Sequence, residues 1–166
     1  MAGLVNDLIA VLDEEAGYYE QLCDLAEEKK EIIVKNDIDS LKRITSRENL
    51  IVSKLSRLEK KRLPLVKDIA EVLNEKEANI TLKSLVHTIK EQPEAEALQA
   101  CTEKISGCVN RLKDLNDHNG QLIQSSLDFV DFTINLIRGS LTQQPTILGA
   151  DGQQLNGDAS FLDIKN

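Results

Sequence analysis

The sequence predicts an all-α protein: an elongated antiparallel helical hairpin or three-helix, coiled-coil-like bundle with a flexible C-terminal tail. Aromatic residues are only 3% of the 166 residues and tryptophan is absent, so a core must be built from Leu, Ile, Val and Ala. Only three prolines interrupt the chain, which permits long helices. Apolar residues recur at alternating spacings of four and three, the period of one helix packed along another.

The first predicted helix covers about residues 2–34. Two neighbouring rows of this helix are apolar, one containing Leu4, Leu8 and Val11, the other containing Val5, Ile9 and Leu12. Two adjacent rows give a wide buried face, which a helix needs when it packs against two neighbours. The polar pair Asn36 and Asp37 indicates a turn, with Asp37 as the N-cap of the next helix.

The second predicted helix covers about residues 38–74 and has one narrow apolar row. That row includes Leu41, Ile44, Ile51, Leu55, Leu58 and Leu65. A single row favours an antiparallel hairpin with the first helix. Pro64 lacks an amide donor, so we expect a kink near residues 60–63. A short helix over residues 81–90 follows, before Pro93.

The last predicted helix covers about residues 94–139. One apolar row follows its whole length and includes Leu98, Ile105, Leu112, Leu122, Phe129 and Leu136. A second row opens after Asn119 and contains Ile123, Leu127, Val130, Ile134, Ile137 and Leu141. Two interpretations are open for this wide apolar arc: both rows are internal core, or one row is left for a partner protein.

Polar residues form a row of their own on the last helix, at Asn119, Ser126 and Thr133. If buried, they would set the register between helices; on a groove wall, they would contact water. Residues 1–141 are therefore predicted to form the helical bundle. Residues 142–166 lack a sustained apolar period, and we expect them to form the tail.

Charge and composition exclude several classes of function. The formal net charge is −8, and the basic residues are interleaved with Glu, which argues against nucleic acid as a partner. No segment has the roughly 18 apolar residues of a membrane span, and the N-terminus lacks a signal-like pattern. Three cysteines without CxxC spacing fit a reducing compartment. We therefore expect a soluble cytoplasmic protein without membrane insertion.

The sequence offers no residues that point to catalysis. His87 and His118 lie far apart in the chain, and neither belongs to a metal-ligand motif. Its glycines form no phosphate-binding loop between a strand and a helix. We therefore predict no enzymatic activity, no metal and no cofactor, and interpret the chain as a binding protein.

Three segments resemble the FlgN family of flagellar type III export chaperones, in the family's order. Leu58, Glu59 and Arg62 are similar to the family's Leu-Glu-x-x-Arg pattern. Residues 113–120, KDLNDHNG, are similar to its Leu-Asn-x-His-Asn-Gly stretch, and residues 149–153, GADGQ, to its Gly-x-Asp-Gly-Gln segment. The resemblance spans most of the chain.

The resemblance implies a cytoplasmic chaperone that binds terminal helices of hook-associated, hook–filament junction proteins. Such a chaperone prevents premature assembly or aggregation and delivers its clients to the cytoplasmic domain of the export gate. For client binding we predict Leu122, Ile123, Leu127, Val130, Ile134, Ile137 and Leu141.

For the gate contact the resemblance implies Leu148, Gly149, Asp151 and Gly152. Enterobacterial members of the family carry a tyrosine where this chain has Leu148, so an apolar anchor would replace a phenol. The alternative reading is a structural, self-assembling coiled-coil or spacer protein. The sequence leaves the oligomeric state open.

Overall fold

The computed structural model describes residues 1–76 and 80–142, with no side-chain description for residues 140–142. It contains four helices: α1 (Ala2–Val34), α2 (Ile38–Leu73), α3 (Leu82–Thr88) and α4 (Glu94–Thr142). No described residue belongs to a strand. The predicted all-α class is confirmed.

The first two helices form an antiparallel hairpin. Asn36 turns the chain with a positive φ of 54°, and the Asp37 carboxylate accepts a hydrogen bond from the Ser40 amide at 3.0 Å, capping α2. Three ion pairs join the helices: Glu15–Arg62, Glu28–Arg47 and Lys29–Glu48. Residue numbers rise along α1 as they fall along α2, so the two helices run in opposite directions.

A single buried row of α2 faces the hairpin partner. Its larger members are Ile44, Ile51, Leu58 and Ile69. The first three are seven residues apart, and the step from Leu58 to Ile69 is eleven, so the row shifts in the region of Pro64. The helix itself continues through Pro64 without a break.

The other side of α1 packs against α4, and these two helices are parallel. Glu20 pairs with Lys104, and Glu27 pairs with Arg111, at N–O distances of 3.4 Å. The partners are 84 positions apart in the second pair. With α2 on one side and α4 on the other, α1 has the two neighbours that its wide apolar face predicts.

All four helices contribute to one cluster of buried apolar side chains. It contains Val5, Leu8, Leu12, Ile69, Leu85, Ile89, Ala95 and Leu98. The short helix α3 is held there through Leu85, and Ile89 at its C-cap is buried with it, each 1% exposed. A capping box between Thr81 and Ser84 fixes the start of α3.

The chain divides into two compact units, residues 1–126 and 127–166. The first contains α1, α2, α3 and the beginning of α4, and the second begins within α4. The boundary predicted at 141–142 stays a prediction, because residues 143–166 lie outside the described part of the chain.

Candidate docking surface on the last helix

Burial changes along α4. Ala95 and Leu98 are buried in the core cluster, and Asn119 is the last buried residue among the described side chains of this helix. Leu122 is half-buried, and the large apolar side chains described after it are between 39% and 67% exposed, namely Ile123, Leu127, Phe129, Val130, Phe132, Ile134, Leu136 and Ile137. A run of exposed large apolar residues of this length is typical of a surface that binds another protein.

The end of α1 explains where this exposure begins. The Glu27–Arg111 pair has an offset of 84 residues and the Asn119–Ala26 hydrogen bond one of 93, so Val34, the last residue of α1, lies level with position 118 of α4 or up to nine positions beyond it. The Asn119 side-chain amide donates a hydrogen bond to the Ala26 carbonyl of α1 at 2.8 Å. Ile123 lies one turn further along α4 and is 39% exposed.

The exposed residues of α4 form two rows. At about 100° per residue, the first row contains Ile123, Leu127, Val130, Ile134 and Ile137. The second row contains Phe129, Phe132 and Leu136, centred about 140° away on the helix. A polar face separates the two rows on one side of the helix and includes Asp131 and Asn135.

The strip between the rows is less polar than its residue types suggest. The Ser126 hydroxyl donates to the Leu122 carbonyl at 3.0 Å, and the Thr133 hydroxyl donates to the Phe129 carbonyl at 2.9 Å. Both hydroxyls are thus bonded to their own helix, and the strip needs no polar partner to satisfy their donors.

Asn119 belongs to the contact with α1 rather than to the exposed rows. It is 3% exposed, and its Nδ2 makes the hydrogen bond to Ala26 described above, whereas its Oδ1 has no partner in the described part of the chain. Of the two alternatives left by the sequence, the buried one holds for this residue. An amide in this position favours one register between α1 and α4.

The residues predicted for client binding divide into three groups. Leu122 is half-buried, whereas Ile123, Leu127, Val130, Ile134 and Ile137 are exposed. The side chain of Leu141 lies outside the described residues, as do the predicted gate residues Leu148, Gly149, Asp151 and Gly152. The interpretation of the whole second row as internal core is wrong for its exposed members; their role in docking stays a prediction.

Sequence reasoning did not assign the second row to this surface: the periodicity places Phe129 and Leu136 in a core row and Phe132 in no row. Phe132 is 62% exposed and lies one turn after Phe129, which the periodicity had placed in a core row. The spacing of three between the two aromatic residues was the available signal, because positions three apart share a helix face.

The described residues carry no sign of a metal site or a membrane span. No group of three or more His, Cys, Asp and Glu side chains within residues 1–76 and 80–142 is arranged to hold a metal ion. None of the helices in the described part of the chain is long and apolar enough to cross a membrane.

Cys23 is a buried thiol in the contact between α1 and α4. Its side chain is 1% exposed, and its Sγ lies 3.4 Å from the Cys108 carbonyl oxygen of α4. Burial raises the pKa of the Cys23 thiol, which keeps it in the unreactive protonated form. The thiol therefore acts as part of the α1–α4 contact.

Comparison with known proteins gives a consistent relationship. Residues 1–156 match the family model described as FlgN protein. Over 153 residues the chain is 28% identical to the Flagella synthesis protein FlgN of Salmonella typhimurium, covering 92% of this chain and 84% of that protein. The Flagella synthesis protein FlgN of Salmonella typhi matches with the same identity and coverage. No solved structure gives a significant match. Since the family model covers nearly the whole sequence, this chain belongs to the FlgN family.

Proposed function

We propose that this protein is a cytoplasmic flagellar export chaperone. It binds terminal helices of hook-associated junction proteins, keeps them from premature assembly or aggregation, and delivers them to the cytoplasmic domain of the type III export gate. Membership of the FlgN family, together with relatives named as flagella synthesis proteins, supports the flagellar role. The proposal assigns the protein no catalytic step.

The observation that carries the docking part of the proposal is the exposure of the two apolar rows of α4. A client helix whose own apolar face awaits its assembly partners would pack along the first of these rows, which contains the residues predicted for client binding. Val130 and Ile134 are 50% and 41% exposed, so much of their surface is available to a client. Other predicted members of the surface are Leu122, Ile123, Leu127, Ile137 and Leu141.

The energetic scale is sufficient for specific binding. Full burial of a Val, Ile or Phe side chain contributes about 1.5–3 kcal/mol. Three such side chains, already half-buried on average, supply several kcal/mol, and the client's matching side chains supply a similar amount. A dissociation constant in the micromolar range corresponds to about −8 kcal/mol after the costs of ordering and association, so the client must also cover the other members of the first row.

Delivery to the gate is assigned to the segment with Leu148, Gly149, Asp151 and Gly152, on the strength of the family resemblance alone. Leu148 would act as an apolar anchor in place of the tyrosine of the enterobacterial proteins. The proposal thus separates holding of the client, on α4, from delivery, in the segment after α4.

The docking proposal is tested by placing a charge on the exposed rows. Val130→Asp and Ile134→Asp should abolish binding of purified terminal segments of hook-associated proteins, because each would bury an unpaired carboxylate against the client. The free variants should retain wild-type helicity by circular dichroism, since both positions are exposed. Isothermal titration calorimetry gives the affinities.

Two control variants match the test closely. Val52 of α2 is 52% exposed, almost the same as Val130, so Val52→Asp changes the same chemistry away from the rows. Asn135→Asp adds the same charge to the polar face of α4. Both should bind the client as the wild type does. If the Val130→Asp variant unfolds, Val130 is part of the core. If it folds and binds the client with unchanged affinity, the rows are not the binding site.

The same variants test the alternative of a self-assembling spacer. Sedimentation velocity of the wild-type chain would then show a stable oligomer that Val130→Asp dissociates, with no binding of client segments. An oligomer of that kind, without client binding, would contradict the chaperone proposal.

A further inference from the structure

A second candidate surface lies within the first compact unit, between α3 and the first third of α4. It is an open groove of about 630 Å³. One wall is formed by Lys83, Val86, His87 and Lys90, and the other by Gln99, Thr102, Glu103 and Ser106. We call this feature the α3–α4 groove.

The two walls of the α3–α4 groove have the same spacing. Each contributes residues at positions i, i+3, i+4 and i+7. On the α4 wall these form one face of a helix over two turns, about 10 Å long; on the α3 wall the first three lie in the helix, and Lys90 lies in the turn that follows it. A pair of helical faces with this spacing is the surface that a third helix meets when it packs between two others. The shape of the groove therefore suits a helix rather than an extended peptide.

The α3 wall is fixed before any partner arrives. Leu85 and the C-cap residue Ile89 are each 1% exposed and belong to the core cluster that α1, α2 and α4 share. The capping box of Thr81 and Ser84 holds the first turn, with the Ser84 amide donating to the Thr81 hydroxyl at 3.0 Å. A rigid wall lowers the entropic cost of docking.

The charge on the α3 wall is positive and is not neutralised internally. Within the part of the chain that the structure describes, neither Lys83 nor Lys90 forms an ion pair, unlike Lys104 and Arg111 on α4. The one carboxylate in the groove, that of Glu103, accepts a hydrogen bond from the Gln99 amide at 2.8 Å. In a chain of net charge −8, two unpaired lysines on one face mark a local site for an acidic partner.

We propose that the α3–α4 groove binds an acidic amphipathic helix of a partner protein. Apolar side chains of that helix pack on Val86 and on the aliphatic stems of the lysines. Its carboxylates, spaced by about two turns, pair with Lys83 in α3 and with Lys90, which lies in the turn just after α3. This surface is separate from the rows on α4 proposed for the client, and the proposal does not depend on them.

The first experiment uses a designed peptide as the probe. It is a fluorescent, end-capped helical peptide of about 16 residues in an Ala/Lys background, with two Leu residues on one face and Glu residues seven positions apart beside them. Fluorescence anisotropy should show saturable binding to the full-length chain, weakening as salt rises. A peptide with Gln at the Glu positions should bind at least tenfold more weakly.

Charge reversal then locates the site. The double variant Lys83→Glu/Lys90→Glu should weaken binding of the Glu peptide at least tenfold. The control, Lys42→Glu/Lys67→Glu, changes net charge equally at two exposed lysines of α2 and should leave the affinity within about twofold. Amide chemical shifts of the wild-type chain on titration should move in α3 and in residues 99–106.

Several results would overturn the proposal. One is no saturable binding of the Glu peptide, another is equal binding of the Gln peptide, and a third is an equal loss in the control variant. If the chain forms a dimer by sedimentation that Lys83→Glu/Lys90→Glu dissociates, the occupant of the groove is a second copy of this chain and the proposed partner helix is wrong.

Discussion

At the scale of single residues, the contact between Glu15 and Arg62 places a carboxylate inside the hairpin. The Glu15 side chain is 6% exposed, and its Oε1 lies 3.4 Å from the Arg62 Nε. Burial raises the pKa of the Glu15 carboxyl; the Arg62 guanidinium lowers it by less, and Glu59 raises it further. The ionised carboxylate is therefore less favourable in the folded chain than in water.

The raised pKa predicts how stability depends on pH at this residue. As pH rises from the ordinary value of 4.5 through the folded pKa, the unfolded chain loses this proton first, so Glu15 reduces the free energy of unfolding across that window. Glu15→Gln removes this loss. The stability of the variant relative to wild type should thus rise from pH 4.5 upward and then stay constant.

Urea denaturation of both proteins from pH 4 to pH 8 measures this difference, with Arg62 and Glu59 left unchanged as the charges that face the site. A difference that falls as pH rises would show that the attraction of Arg62 exceeds the cost of burial. The titration of the other carboxylates is common to both proteins and cancels in the comparison.

For Asn119, the sequence predicts the row of the helix but not the contact that the residue makes. The period of α4 put it in a row with Ser126 and Thr133, but a period does not say which level of α1 a residue meets. That depends on the register between two helices far apart in sequence. The 2.8 Å hydrogen bond to Ala26 is a consequence of that register.

At the scale of helices, local chemistry sets the ends and neighbours set the burial. The side-chain cap of Asp37 and the left-handed Asn36 and Asn74 are properties of a few consecutive residues, which is why turns at these places can be anticipated. The wide face of α1 and the narrow row of α2 likewise follow from spacing. The length of α4 that is buried against other helices does not follow from spacing, because it depends on where α1 ends.

Pro64 gives the clearest prediction for a helix. It is exposed and lies inside α2, where it removes a backbone donor that an alanine would supply to the Lys60 carbonyl. Pro64→Ala should stabilise the chain by about 1–3 kcal/mol, because proline costs about 3 kcal/mol in a helix interior and the native helix has adapted in part. The melting temperature should rise by about 2–4 °C for each kcal/mol.

The control for this variant is Ser56→Ala, an exposed position of the same helix with an ordinary backbone. Its effect should stay within about 0.5 kcal/mol. A loss of stability in Pro64→Ala would show that the shift of the buried row between Leu58 and Ile69 needs the proline to direct it.

At the scale of the whole molecule, the buried core and the exposed apolar rows lie in different parts of the chain. The core cluster shared by the four helices lies in the first compact unit, whereas most of the exposed apolar rows of α4 lie after Ser126, in the second. The sequence indicated an unusually apolar end to α4 but left open whether it was core. Only the offset between α1 and α4, fixed by contacts such as Glu27–Arg111, shows where α1 ends along α4.

The division of roles between α4 and the segment after it leads to the last prediction. Removal of residues 143–166 should leave the free energy of unfolding and the affinity for a client segment unchanged, because the described core and the exposed rows precede position 143. Export of hook-associated proteins in cells should fall, since the segment with Leu148 and Gly149 is the proposed gate contact.

The single substitution Leu148→Ala narrows this test to one side chain. If Leu148 is the anchor, its loss should weaken binding to the gate's cytoplasmic domain about tenfold or more, while Leu148→Tyr should preserve it. A truncated chain that exports its clients normally would remove delivery from this segment. A truncated chain that melts several degrees lower would instead show that residues 143–166 stabilise the helices, and the loss of export could then follow from stability alone.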